Sequence, residues 1–184
     1  MFNQVVKASK VNYNTSLIKV TVRNARPPIE IGGARIDLGA EGMEIQLPRW
    51  VALKLAELGI VEIKSTDEIS LRDLLRILWR ETREINLTEI DPNFYPKLQN
   101  RLKKLREEAN KSPLPELIQD LRRFEVTAQD IINCRVQKIV QAAICESLPI
   151  NVLEAMTIEE KALLREISRL VERWKRQMLA LEEE

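Results

Sequence analysis

The sequence predicts an α+β chain, with a small β-rich N-terminal domain followed by an all-α helical bundle domain. Two observations carry this prediction. The apolar pattern alternates with a period of two up to Lys64 and turns helical from Ser70 to the end. All five glycines, the residues that tight β-turns require, lie between positions 32 and 59. The expected boundaries are a β-rich domain over 1–64, a linker over 65–69 and a bundle over 70–184.

The strands come first. Ile18, Val20 and Val22 alternate with Lys19, Thr21 and Arg23, while Met43, Ile45 and Leu47 alternate with Glu44 and Gln46. Each run therefore has one apolar and one polar face. Ile29 and Ile31 precede Gly32-Gly33, and Ile36 and Leu38 follow, which is a hairpin signal because paired glycines supply positive φ angles. Pro48 opens a short helix carrying Trp50, Val51, Leu53, Leu55, Ala56 and Leu58, and Gly59 ends it. Trp50, set among Val51, Ala52 and Leu53, is expected in the core. Ile60, Val61 and Ile63 form a last strand, and the polar stretch Ser65–Glu68 lacks apolar periodicity.

Four longer helices follow. Ser70 with Asp73 has the form of a capping box, and Leu71, Leu74, Leu75, Leu78, Thr82 and Ile85 continue one face. Asp91-Pro92 opens a second helix, with Tyr95, Leu98, Leu102, Leu105 and Ala109 on its stripe. Pro113 and Pro115 mark a break, after which no proline or glycine occurs between Glu116 and Leu148. Unbroken, that segment spans on the order of 50 Å. Thr157 with Glu160 repeats the capping-box form before a helix lined by Leu163, Leu164, Ile167, Leu170, Val171, Trp174 and Met178. Such wide apolar faces make a bundle that its own chain does not fully cover.

Composition narrows the function. At 184 residues, 45% hydrophobic and 31% charged, the chain is globular. Its 29 basic and 28 acidic residues give a net charge of +1, so no whole-molecule attraction to nucleic acid or membrane is expected. Nothing approaches 18 uninterrupted apolar residues, and Met1 leads into Phe2–Lys7 without a leader pattern, so a soluble, intracellular protein is expected. Cys134 and Cys145 sit eleven residues apart in one predicted helix. That is roughly 16 Å of rise, too far for a disulfide, and both read as core-packing thiols.

Reactive groups are scarce. The absence of histidine removes the commonest general base and metal ligand, and no P-loop sequence occurs. No catalytic, cofactor-binding or metal-binding residue is expected. Glu81 with Glu84, Glu107 with Glu108, and Glu159 with Glu160 are flanked by lysines and arginines and read as solvated helix positions. The basic run Arg101–Arg106 is followed at once by two acids and has no interleaved aromatic, so little or no direct nucleic-acid contact is expected there.

Arg135 is the informative polar residue. It stands four residues from both Ile131 and Ile139, on their apolar face. A charge there either snorkels to the rim or pairs with a carboxylate, inside the subunit or on a partner. Lys138 lies one turn further along and is placed to join it. Leu117, Leu121, Ile131, Arg135, Lys138 and Ile139 are the candidate subunit-interface or buried-pair residues.

Several strings, taken in order, resemble the GINS family, whose subunits form a tetrameric accessory complex of the replicative helicase in archaea and eukaryotes. They are Glu44–Ala52 with Leu55 and Gly59–Ile63, then Leu71–Glu84, then Leu87 with Asp91–Tyr95, and finally Arg135–Val140. The β-first order is similar to the archaeal subunit that stands in for the second and third eukaryotic subunits, although Asp91–Tyr95 also looks like the other class. The resemblance implies a non-catalytic scaffold in the archaeal cytoplasm. It also implies assembly with a second subunit class and bridging of the MCM helicase to a RecJ-like partner. The competing expectation is a single-stranded nucleic-acid-binding module with a helical dimerisation domain, which would need exposed aromatics near basic residues.

Overall fold

A computed structural model describes residues 2–24, 28–31, 34–63, 68–145 and 150–179. The chain divides into two compact units, Lys10–Glu68 and Met1–Ser9 with Ile69–Glu184.

The β-rich unit is built on three antiparallel strands, β1 (Leu17–Val22), β4 (Glu44–Pro48) and β5 (Val61–Ile63), in the order β4-β1-β5. Leu17 pairs with Pro48, Thr21 with Glu44 and Val20 with Ile63. This register puts Ile18, Val20 and Val22 on one face with Leu47, as the alternation requires. β2 (Ile29–Ile31) and β3 (Ala34–Ile36) form a separate antiparallel pair. The expected turn at Gly32-Gly33 and residues 65–67 of the expected linker lie outside the described residues.

Helix α2 (Arg49–Glu57) closes this core with Val51, Ala52 and Leu55. It ends in a Schellman motif. Gly59, at φ +69°, lets its own N–H reach the Ala56 carbonyl and the Ile60 N–H reach that of Leu55, which turns the chain straight into β5. Trp50 departs from the expectation. It is 46% exposed, because Val51, Ala52 and Leu55 define the buried face of α2 and Trp50 points away from it. The guanidinium of Arg49, at the start of the same helix, lies 4.1 Å from the ring centroid of Tyr13.

Helix α1 (Phe2–Thr15) is not anticipated by the period-two reading. Its inward side, Val5, Val6, Ser9 and Tyr13, recurs at helical spacing but with a serine in the stripe. That polar residue weakens the signal.

The helical unit holds α3 (Leu71–Arg83), α4 (Phe94–Lys111), α5 (Pro115–Ile144), the short α6 (Ile150–Glu154), which had no sequence expectation, and α7 (Ile158–Met178). Both capping boxes form. Ser70 Oγ accepts from the Asp73 N–H and Thr157 Oγ1 from the Glu160 N–H, and each acid answers the cap residue's own N–H. Leu74, Phe94, Leu98, Leu105, Phe124, Ala128 and Ile131 make one core, and Ile139, Ala142, Ala143, Val152, Met156 and Leu164 a second. Three residues of the expected α3 stripe leave the inward face, among them Thr82, which is exposed and donates its hydroxyl to the Leu78 carbonyl. Leu75 is exposed on the outward side, and Ile85 lies beyond the helix end. Cys145 is also exposed, since it caps α5 instead of packing within it, while Cys134 is half-buried.

Candidate functional site

Helices α3, α4, α5 and α7 converge on four charges. Arg135 of α5 is 0% exposed, so its guanidinium does not reach the rim. Its five N–H donors make five hydrogen bonds. Nε donates to Glu160 Oε1 (2.6 Å) and Nη2 to Glu160 Oε2 (2.8 Å), a fork-on-fork pair. Nη1 donates to Glu81 Oε2 (2.8 Å) and to the Thr88 carbonyl (2.8 Å), and Nη2 also to the Ala155 carbonyl (3.1 Å).

Lys138, one turn on, spends all three of its protons. Nζ donates to Glu81 Oε1 (2.7 Å) and to the carbonyls of Glu81 (2.7 Å) and Asn86 (2.9 Å). The acids are equally occupied. Thr88 donates its hydroxyl (2.5 Å) and its N–H (3.2 Å) to Glu81 Oε2, Tyr95 Oη donates to Glu160 Oε1 (2.7 Å), and the Thr157 N–H donates to Glu160 Oε2 (2.9 Å). Two cations and two carboxylates therefore balance. Every hydrogen-bonding site on the guanidinium and the ammonium is filled, which is the condition for burying charge without a large penalty.

Protonation follows from these contacts. Burial works to raise the Glu81 carboxyl, but the hydrogen bonds from Lys138 and Thr88 and the two positive charges outweigh it and hold the group below the usual carboxylate value. Burial likewise works against the Arg135 cation, and the bonds and charges of Glu160 and Glu81 more than restore it. The Tyr95 phenol is pushed well up, first by burial and then by the charge and hydrogen bond of Glu160.

The expectation that Glu81, Glu159 and Glu160 are solvated is overturned. Glu81 and Glu160 are 1% and 2% exposed. Glu81 continues the inward face of Leu74 and Leu78 at helical spacing, a position where a stripe-based reading looks only for apolar residues. Glu160 was legible as a cap, but a cap uses one oxygen and Arg135 takes both. Glu159 is buried too, where Ser9 Oγ donates to its Oε1 at 2.5 Å. Of the other candidates, Ile131 and Ile139 are wholly covered within the chain, while Leu117, Leu121 and Lys138 are half-buried. The run Arg101–Arg106 is answered at home by Glu108, Glu107 and Glu125.

The lock is closed and charge-balanced, and it fixes α3, α4, α5 and α7 to one another. The family model of the GINS complex protein helical bundle domain (Sld5) matches residues 65–179, and the chain belongs to the GINS family. No curated protein matches the chain. GINS proteins are non-catalytic scaffolds of DNA replication, and membership implies assembly with other GINS subunits.

Proposed function

We propose that this chain is the archaeal-type, β-first GINS subunit. In this reading it does no catalysis, assembles with the helical-domain-first class, and bridges the MCM replicative helicase to a RecJ-like protein in the cytoplasm. The supporting observation is on α7. The pairings of Arg135 with Glu160 and of Ala143 with Ser168 advance together, so α5 and α7 run parallel. From Leu170 on, α7 continues past Ile144, the end of α5, and there Leu170, Trp174 and Met178 stand exposed at i,i+4 spacing. Trp174 is 59% exposed. An apolar stripe on a helix that has outrun its neighbour calls for a second chain. Leu114, Leu117, Ile118 and Leu121 at the start of α5 offer a second apolar patch for the same purpose.

The bridging role is tested by affinity capture with the assembled complex. Tagged complex containing this chain should retain both the MCM helicase and the RecJ-like protein, and each should still bind in the absence of the other. Capture of neither would remove the bridging role and leave the family assignment standing.

A further inference from the structure

The outward face of α3 is a surface that the buried lock and the α7 stripe do not explain. At about 100° per residue, Arg72, Arg76, Trp79 and Arg83 fall within an arc of about 60°, with Leu75 and Arg80 on its two flanks. All six are exposed. Among the described residues none of the four arginines makes an ion pair. Of the acids of the helix, Asp73 is hydrogen-bonded to the Ser70 cap and feels Arg72 and Arg76 only through space, and Glu81 belongs to the buried lock. Trp79 is 57% exposed, and the Arg83 guanidinium lies 4.3 Å from its ring centroid, on one face of the indole.

We infer that this face of α3 binds single-stranded nucleic acid. Arg72, Arg76 and Arg80 repeat every four residues, a step of about 6 Å along the axis, so successive phosphates of an extended strand meet successive guanidiniums. Arginine is suited to this because its fork matches phosphate oxygens two at a time. The indole supplies the complementary contact. Arg83 holds one face of the ring and leaves the other for a base to stack on, the pairing of cation and aromatic that sequence-tolerant strand binding uses. An acidic protein segment with an apolar side chain for the indole is the competing occupant, and the glutamine variants Arg76→Gln/Arg80→Gln separate the two. The expectation of little nucleic-acid contact rests on the net charge of +1, which says nothing of a local patch, and on the run Arg101–Arg106, a different surface with its own acids.

The test is fluorescence anisotropy of labelled oligothymidylate against the full chain, alone and in the assembled complex, across a salt series. Three phosphate contacts, from Arg72, Arg76 and Arg80, give a slope of log K on log salt of about −2.1, and the double variant Arg76→Gln/Arg80→Gln should reduce it to about −0.7. Arg76→Lys/Arg80→Lys should keep the slope. Trp79→Ala should weaken binding by about ten-fold and leave the slope unchanged. All these side chains are exposed, so the variants should keep the parent's unfolding midpoint, which circular dichroism checks. Absence of binding at low salt overturns the inference, as does binding that none of the variants alters. Loss of a subunit from the assembled complex in the glutamine variants, without oligonucleotide binding, also overturns it and assigns the face to a protein partner.

Discussion

Removing the guanidinium of Arg135 deprives two buried carboxylates of donors at once. Glu160 loses both halves of a forked pair, and Glu81 keeps only Lys138 and Thr88. Arg135→Met preserves much of the stem's packing against Ile131 and Ile139, yet strands the same acids. It should therefore cost nearly as much as Arg135→Ala, about 3–5 kcal/mol by denaturant unfolding, and a methionine variant as stable as the parent would contradict this. Acid should attack the same lock. A carboxyl held below its ordinary pKa, as Glu81 is, contributes stability that is full above 4.5 and is lost as pH falls through the folded value. A phenol raised above its ordinary pKa contributes stability that is full below 10.0 and is lost as pH rises toward the folded value, which is the case of Tyr95. Melting temperature should thus plateau between those two limits, and Glu81→Gln should flatten the acid limb. Coinciding acid limbs for parent and variant would remove Glu81 from the account.

At the scale of elements, the two capping boxes are alike in form and unlike in setting. Thr157 is buried and its partner Glu160 also belongs to the ionic lock, whereas Ser70 is exposed and Asp73 serves the cap alone. Thr157→Ala should lower stability by about 2 kcal/mol and Ser70→Ala by about 0.5–1 kcal/mol, the two ends of the usual range for lost caps. Equal losses measured by urea unfolding would show that the lock draws nothing from the cap. These boxes, the strands β1, β4 and β5 and the helices α2–α5 and α7 were all legible, because each rests on a local signal of period, cap or glycine. The buried acids were not. A glutamate reads as solvent-facing until its position relative to a distant arginine is known, and Arg135 lies 54 residues from Glu81 and 25 from Glu160. Helix α1 was lost for a related reason, since the serine in its inward stripe is satisfied by Glu159, 150 residues away. Trp50 was placed in the core because its neighbours are apolar, and a residue's neighbours in sequence do not fix which side of a helix it takes.

At the scale of the whole molecule, the family assignment and the exposed end of α7 converge on assembly. A lock that holds four helices in fixed relation presents the last turns of α7 as a rigid edge, and the apolar side chains there are the ones a partner would cover. Among the described residues, no helix is long and apolar enough to cross a membrane. Native mass spectrometry of this chain co-expressed with the helical-domain-first GINS subunit tests the claim most directly. The expected result is a stable hetero-oligomer with two copies of each chain, which Leu170→Glu/Trp174→Glu dissociates while the variant chain keeps the parent's circular dichroism spectrum. A monomer that shows no affinity for that subunit at micromolar concentration would contradict the account.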